Sequence, residues 1–356
     1  MSVLKKVGIV GAGISGASAA RMLADRGVPS TVFEMRDSVG GMCREVCWNG
    51  MVVPELGPHI FRTLRQNVWE FLDRFCKLVR LEHRVATKIG SEVCLFPPLE
   101  YPPHETPPPT KRPDSSVGEY LVRTLGTELY EKFYESYTRK RWGISAFELS
   151  TDVIPLIPVY RSGKSFFAEG LVGTPISGYT NALENMLDHE LIDLRLGCSP
   201  AVEELDGFHH LVWTGRVDQV PAVEPTELHF RCVEQEFSAA EKWELDDVGV
   251  INYPGPEVRY IRRSNYSMLL PWHPCAVGTE FAGDKGYPAY PVITAAAIEN
   301  LRTLQARVSQ RWPQMCLHGR LGRFTYISMD QAIQASVELV DRLMLASARY
   351  SKEVKR

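Results

Sequence analysis

The stretch VGIVGAGISGASAARMLADRG at residues 7–27, followed by STVFE at 30–34, decides the fold. Its first four residues form a short apolar strand running into a glycine turn, and ISGASAARMLADRG continues with apolar residues at the three-to-four spacing of a helix. Strand, turn, helix and second strand in this order predict a βαβ opening and an α/β fold of Rossmann type. Gly11 permits the tight turn, Gly13 lets the backbone approach a pyrophosphate, and Gly16 lets helix and strand pack closely. Ser15 lies between them on the first helical turn. Glu34 closes the second strand, where its carboxylate can accept hydrogen bonds from a pair of ribose hydroxyls. The motif reads as a dinucleotide site, with a purely structural glycine turn as the alternative.

The next segment, MRDSVGGMCRE at 35–45, favours FAD over a nicotinamide. A basic residue, Arg36, closely follows the acid, and the pair Gly40–Gly41 precedes Met42. Such a pair suits a loop folding back over a flavin dinucleotide, as in flavoproteins of the glutathione reductase and amine oxidase type. A plain surface turn is the alternative for the pair alone. No second GxGxxG offers a site for NADPH, so a reductant such as NAD(P)H must dock transiently or electrons must come from outside.

With 356 residues, 44% of them hydrophobic, the chain can bury more than one compact layer system, and two or three interleaved domains are expected. A net charge of -3 and a pI near 6.3 exclude a global basic field for nucleic acid or an anionic membrane, so an anionic ligand must be held by local arginines. No apolar run reaches the ~18–20 residues of a membrane span and no cleavage signal is evident, which reads as a soluble, cytoplasmic protein. The eight cysteines are scattered, Cys43 and Cys47 being the closest pair, and give neither a CxxC redox pair nor zinc spacing. They are read as reduced, mostly buried thiols, with no metal site.

Further along, MVVPELGPHIFRT at 51–63 is a strand leading to a Gly-Pro turn that presents His59. Residues 65–85 carry apolar residues at helical spacing and are predicted to form an amphipathic helix. The stretch 97–113 is too proline-rich for helix or central strand and reads as an extended loop or flap, with a polyproline docking site as a lesser alternative. From 115 to 143, Ser115 or Ser116 can cap one helix, Gly126 interrupts, and LYEKFYESYTRKRWG forms a second with an aromatic, cationic end. Phe133, Tyr134, Tyr137 and Trp142 fall mostly on one side, with Arg139, Lys140 and Arg141 between them. Such aromatics are usually core, yet three consecutive cations suit a pocket for a planar, anionic ligand.

That segment, ELYEKFYESYTRKRWG at 128–143, closely resembles the helical-domain signature of the UDP-galactopyranose mutase family. The resemblance runs along nearly the whole chain, through GPHIFRT at 57–63, LVWTGRVD at 211–218, INYPGPEVRYIRR at 251–263 and GRLGRFTYISMDQAI at 319–333. It implies an α/β fold: a discontinuous Rossmann-like FAD-binding domain, an inserted helical domain and an antiparallel substrate-facing sheet. The implied division is 1–75, 193–222 and 313–356 for FAD, 76–150 for the helical part with its Pro-rich loop, and 151–192 with 223–312 for the sheet. It further implies an isomerase that interconverts the pyranose and furanose forms of UDP-galactose or a related nucleotide sugar. The flavin is active only when reduced, acts through an N5-sugar adduct and undergoes no net redox change. Family members are often dimers, so a homodimer is an open possibility.

By the same resemblance, Arg262 is the second pyrophosphate-clamping arginine and Arg161 the best candidate for the first, its register being off by one residue. These two and His59 are the candidate catalytic residues. Trp142 stacks on the nucleotide base with Phe133, Tyr134 and Tyr137 as neighbours, Asn252 faces substrate, and Tyr290 and Tyr326 bond the diphosphate. His59, Arg320 and the helix start at Met329, Asp330 and Gln331 face FAD. Departures gather around the reaction site. Arg62 replaces the family's second histidine and Ser328 an aspartate; Ala289 replaces a tyrosine, RSNYS at 263–267 is new, and so is the loop before 115. They loosen any assignment of UDP-galactose itself as substrate. Two other readings are an FAD-dependent oxidoreductase of the amine oxidase superfamily, which needs no arginines for a diphosphate, and a non-catalytic nucleotide-sugar or partner-binding relative.

Overall fold

A computed structural model describes residues 6–100, 114–167, 170–239, 243, 245–272 and 275–353. The opening stretch forms the strand Val7–Val10 and the helix Ile14–Ala24, and Val7–Val10 becomes the centre of a five-stranded parallel sheet. Ser30–Phe33 and Ile192–Arg195 extend it on one side, His210–Trp213 and Met315–Leu317 on the other. Three remote parts of the chain thus complete one sheet. The helices Tyr179–Leu187 and Met329–Glu353 pack against Ile14–Ala24. Val7, Ile9, Ala17, Leu23 and Val32 are fully buried between these layers, as expected for strands covered on both faces.

A seven-stranded sheet stands beside it, in the order Tyr287–Pro291, Phe230–Ala239, Ala276–Gly283, Arg262–Asn265, Val250–Asn252, Val85–Ile89, Glu92–Phe96. All neighbours are antiparallel except Val250–Asn252 with Val85–Ile89. The register places Arg262 opposite both Asn252 and Glu280. A hairpin of Glu45–Trp48 and Met51–Pro54 turns through Asn49 and Gly50, both at positive φ, which is why an Asn-Gly pair stands there.

The helical layer begins at Val117–Leu125, where the Ser116 hydroxyl caps the Glu119 N–H and Gly126, at φ +78°, ends the helix. The chain stays helical from Thr127 to Trp142, through a π-helical turn at Glu131–Glu135, until Gly143 closes it in the left-handed conformation. Consecutive helix positions point to different faces and so separate the three cations. Arg139 pairs with Glu135, Lys140 donates to the Tyr253 and Tyr260 carbonyls, and Arg141 points inward.

Three expectations need correction. The helix expected over 65–85 is only Gln66–Asp73; the Asp73 carboxylate accepts the Leu78 N–H at 2.7 Å, and Leu78–Arg80 leaves as a strand. Pairing of that strand with Leu171–Pro175 outweighs the local helical period. Segment 76–150 is accordingly not purely helical, since Val85–Ile89 and Glu92–Phe96 belong to the seven-stranded sheet. Nor does 151–192 join that sheet. Leu171–Pro175 lies between Phe61–Thr63 and Leu78–Arg80, and Tyr179–Leu187 packs on Ile14–Ala24. Of the Pro-rich stretch, Leu99–Glu100 pairs with Tyr160–Arg161, while 101–113 lies outside the described residues.

Candidate active site

A cavity of about 360 Å³ opens at the carboxyl ends of Val7–Val10 and Ser30–Phe33, where an open parallel sheet binds its ligands. Gly11, Gly13, Ser15, Glu34, Gly41, Met42, His59, Arg320 and Met329 all line it. Glycine is obligatory in the turn for two distinct reasons. Gly11 sits at φ +103°, and a Cβ on Gly16 would stand 1.9 Å from the Gly11 carbonyl oxygen, so Gly16 lies beneath the cavity and lets the helix approach. Gly13 and Gly41 meet backbone to backbone, a Cβ on Gly41 falling 3.0 Å from the Gly13 Cα. The buried Glu34 carboxylate accepts the Ala12 N–H at 2.8 Å and the Arg36 N–H at 3.0 Å, which fixes it at the cavity wall.

His59 is half-buried, and its shielded Nε2 has no hydrogen-bond partner among the described residues. Burial, with Arg262 and Arg320 nearby, pushes its pKa down to about 4, so the imidazole is neutral at pH 7. The Arg320 guanidinium donates to the Ile327 and Ala289 carbonyls and lies 4.7 Å over the Tyr326 ring. These features fit a dinucleotide: a largely apolar cradle, a glycine-lined backbone, a fixed carboxylate and a shielded polar atom without a partner among the described residues.

Three expected cofactor residues turn elsewhere. Arg36 pairs with Glu55 at 2.8 Å and lies over Tyr287, outside the cavity lining. The Gln331 side chain accepts the Ser328 N–H at 2.9 Å, capping the last helix, and Asp330 accepts the Ser328 hydroxyl and lies 3.6 Å from Arg65. These two residues therefore shape the helix start that presents Met329.

A second cavity, of about 210 Å³, lies against the first. They share segments as walls: His59 faces the larger cavity while Pro58 and Ile60 face the smaller, and Tyr326 faces the smaller while Ile327 and Ser328 face the larger. Tyr134, Tyr137, Trp142, Asn252, Arg262 and Tyr326 line this second cavity, bringing together most of the expected substrate residues. Arg262 pairs at 2.6 Å with Glu280, which is 1% exposed. Burial opposes the charge of Arg262, but the Glu280 carboxylate outweighs it and holds the pKa above its ordinary value. The Tyr290 hydroxyl also reaches Glu280, and Tyr290, Trp142 and Tyr326 pack ring against ring at 5.3–5.9 Å.

Three expected residues fall outside the lining, Tyr290 among them, which stands behind it against Glu280 and Arg141. Phe133 is buried against Phe96 in the core rather than facing the cavity. Arg161 donates to Glu100 at 3.2 Å and to the Gly163 carbonyl, because its strand pairs with Leu99–Glu100 and turns it toward that acid. Conversely, Arg141, His83 and Glu280 were not singled out from sequence. Glu280 carried a legible signal, a lone acid inside the apolar strand AVGTEFAG. Arg141 read as one cation among three, and only the helix face distinguishes it. His83 is buried in the smaller cavity against Phe166 and Phe167, with Nδ1 unpartnered and its pKa lowered to about 3 by burial first and Arg262 second. Among the described residues no cluster of acids, cysteines and histidines could hold a metal ion, and no helix is long and apolar enough to cross a membrane.

The sequence model of the UDP-galactopyranose mutase family matches residues 132–326, more than half of the chain. This chain belongs to the UDP-galactopyranose mutase family. It is a nucleotide-sugar mutase, an isomerase. An NAD(P)-binding Rossmann-like domain model matches residues 9–75, which hold the glycine turn of its dinucleotide site. The probable UDP-galactopyranose mutase of Klebsiella pneumoniae is 26% identical over 374 residues, covering 98% of this chain and 97% of that protein. A dTDP-fucopyranose mutase of Escherichia coli is also 26% identical, covering 94% and 97%. A crystal structure of reduced UDP-galactopyranose mutase superposes with a TM-score of 0.78 at 15% identity, covering 96% of this chain and 95% of that one, which establishes the shared fold. The family implies a flavin for the larger cavity, and the cradle described above fits one.

Proposed function

We propose that this mutase interconverts the pyranose and furanose forms of a UDP-linked sugar, UDP-galactose or a close relative, with FAD in the larger cavity and active only when reduced. The observation that supports it most is the shared wall. A cationic, aromatic cavity abuts a dinucleotide cavity across residues 58–60 and 326–328, so the anomeric carbon of a bound nucleotide sugar can reach the cofactor. Reduced FAD, when bound, supplies the nucleophile for that carbon without net redox change.

The remaining work falls to the chain. Arg262 holds the diphosphate as it leaves and returns, and a guanidinium suits this because it is permanently charged and bidentate. Glu280 fixes its position while leaving part of the fork to the ligand. Trp142 and Tyr137 offer faces for the base, and Asn252 offers an amide for sugar or ribose hydroxyls. Tyr134, Ile157 and Phe166 exclude water, which strengthens every charge interaction inside. His59 stays neutral and offers Nε2 to the cofactor as a donor or acceptor.

We read the parallel sheet, gathered from three separate segments, as the cofactor unit, and the seven-stranded sheet with the helical layer as the substrate unit. An external reductant such as NAD(P)H, a homodimer and a cytoplasmic location complete the proposal. An oxidoreductase of amine oxidase type is the competing reading; it has no need of Arg262 on an anion. The deciding experiment incubates protein reduced anaerobically with dithionite with UDP-galactopyranose, UDP-galactofuranose and a panel of other UDP- and dTDP-sugars, followed by chromatography. Interconversion only in the reduced state is expected. Reduction of the oxidised flavin by a substrate, with no isomer formed, would transfer the chain to the oxidoreductases.

A further inference from the structure

We propose that Arg141 is the second diphosphate-binding guanidinium of the site, a resident cation whose counterion arrives with the substrate; this rests on the nucleotide-sugar reading of the smaller cavity. The arginines of that cavity differ in one respect. Arg262 has Glu280 at 2.6 Å, whereas Arg141 is half-buried, its Nε fully shielded, with no carboxylate in ion-pair contact among the described residues and Glu280 acting on it only from beyond contact. Among the described residues its one hydrogen bond goes from Nη2 to the Tyr326 hydroxyl at 2.6 Å, and Nε has no partner. Among the described residues no acid lines the cavity.

A guanidinium shielded from water without a counterion in contact is disfavoured, and proteins keep such groups where a ligand completes them. The surroundings hold Arg141 ready. Its guanidinium lies 4.3 Å from the centre of the Tyr290 ring, with Tyr326 at 5.7 Å and Trp142 at 5.9 Å. These ring faces partly replace lost hydration and fix the plane of the fork without using its donors. The helix completes the placement. Tyr137, Thr138, Arg141 and Trp142, at i, i+1, i+4 and i+5, line one side, so a base stacked there carries its diphosphate toward Arg141. The charges also agree: Arg141 and Arg262 against Glu280 leave a net +1 facing a diphosphate. Arg161, held by Glu100, supplies none of it.

The test compares wild type with Arg141→Gln and Arg141→Lys, all flavin-loaded, for UDP affinity by calorimetry and for uridine contact by saturation-transfer NMR. Thermal unfolding of each protein without nucleotide is measured alongside. UDP is expected to bind Arg141→Gln about ten- to a hundredfold more weakly, from the loss of charge-assisted hydrogen bonds. Uridine, which has no phosphate, should bind all three alike, and Arg141→Lys should recover part of the UDP affinity. Because no ion pair is broken, the Gln variant should melt close to the wild-type temperature, an outcome an arginine held by structural ion pairs would not give. UDP binding within twofold of wild type overturns the proposal, as does an equal loss for UDP and uridine. Should Arg141→Gln not fold, Arg141→Lys carries the test: weaker UDP binding with uridine affinity unchanged supports the proposal, and UDP affinity within twofold of wild type overturns it. Failure of wild type to bind any nucleotide would instead remove the nucleotide-sugar reading on which it rests.

Discussion

Replacing Glu280 by glutamine should destabilise the protein while leaving nucleotide affinity intact or improved. The substitution keeps the side-chain volume, which matters because Gly57 packs against it: a Cβ there would stand 2.4 Å from the Glu280 carboxylate. What it removes is the charge opposite Arg262, in a group only 1% exposed and ion-paired at 2.6 Å. Stranding a buried cation in this way costs about 3–5 kcal/mol. With an unfolding entropy of ~2.1 cal/mol/K per residue, the 356 residues give roughly 0.75 kcal/mol/K, so the melting temperature should fall by about 4–7 °C. A diphosphate supplies the missing negative charge, so saturating UDP should raise the melting temperature of Glu280→Gln more than that of wild type. Calorimetric melting of flavin-loaded protein with and without UDP measures both effects. A fall of less than 1 °C, or weaker UDP binding by the variant, would refute the view that Glu280 neutralises Arg262.

Gly16→Ala should yield protein without bound flavin, because its Cβ would meet the Gly11 carbonyl at 1.9 Å and push the phosphate-binding turn out of shape; a normal flavin absorbance after purification would contradict this. The shielded histidines set an acid limit. His59 and His318 have folded pKa values of about 4 and His83 about 3, all depressed by burial from 6.5. The unfolded chain therefore binds their protons first as pH falls, so their stabilising contribution is complete above 6.5 and declines below it, by about 1.36 kcal/mol per unit for each histidine. Denaturant midpoints measured from pH 7.5 to 5 should fall accordingly, and a flat profile between pH 6 and 5 would exclude the effect.

Local sequence made some of this protein legible and hid other parts for definable reasons. The glycine turn was readable because strain and close approach act within a few residues: only glycine tolerates φ +103° at Gly11 or the contact at Gly16. The cap at Ser116 and the stop at Gly143 are equally local. The helix expected over 65–85 failed because its second half pairs with Leu171–Pro175, about a hundred residues away, and long-range pairing overrides periodicity. Arg161 failed for a similar reason, drawn to Glu100 by a strand pair that no motif announces.

The sequence by itself determined the dinucleotide turn, the acid that ends its second strand, the family signature and most of the aromatics and arginines proposed here for the nucleotide-sugar site. Those depend on residue type and short spacing. Only the tertiary structure decided which arginines line the smaller cavity. Arg139, Lys140 and Arg141 are consecutive and chemically alike, yet one pairs with Glu135, one with backbone carbonyls, and one lines the cavity. A cation's task is set by the nearest negative charge, and proximity to Glu280, Glu100 or a bound diphosphate is a property of the packed fold.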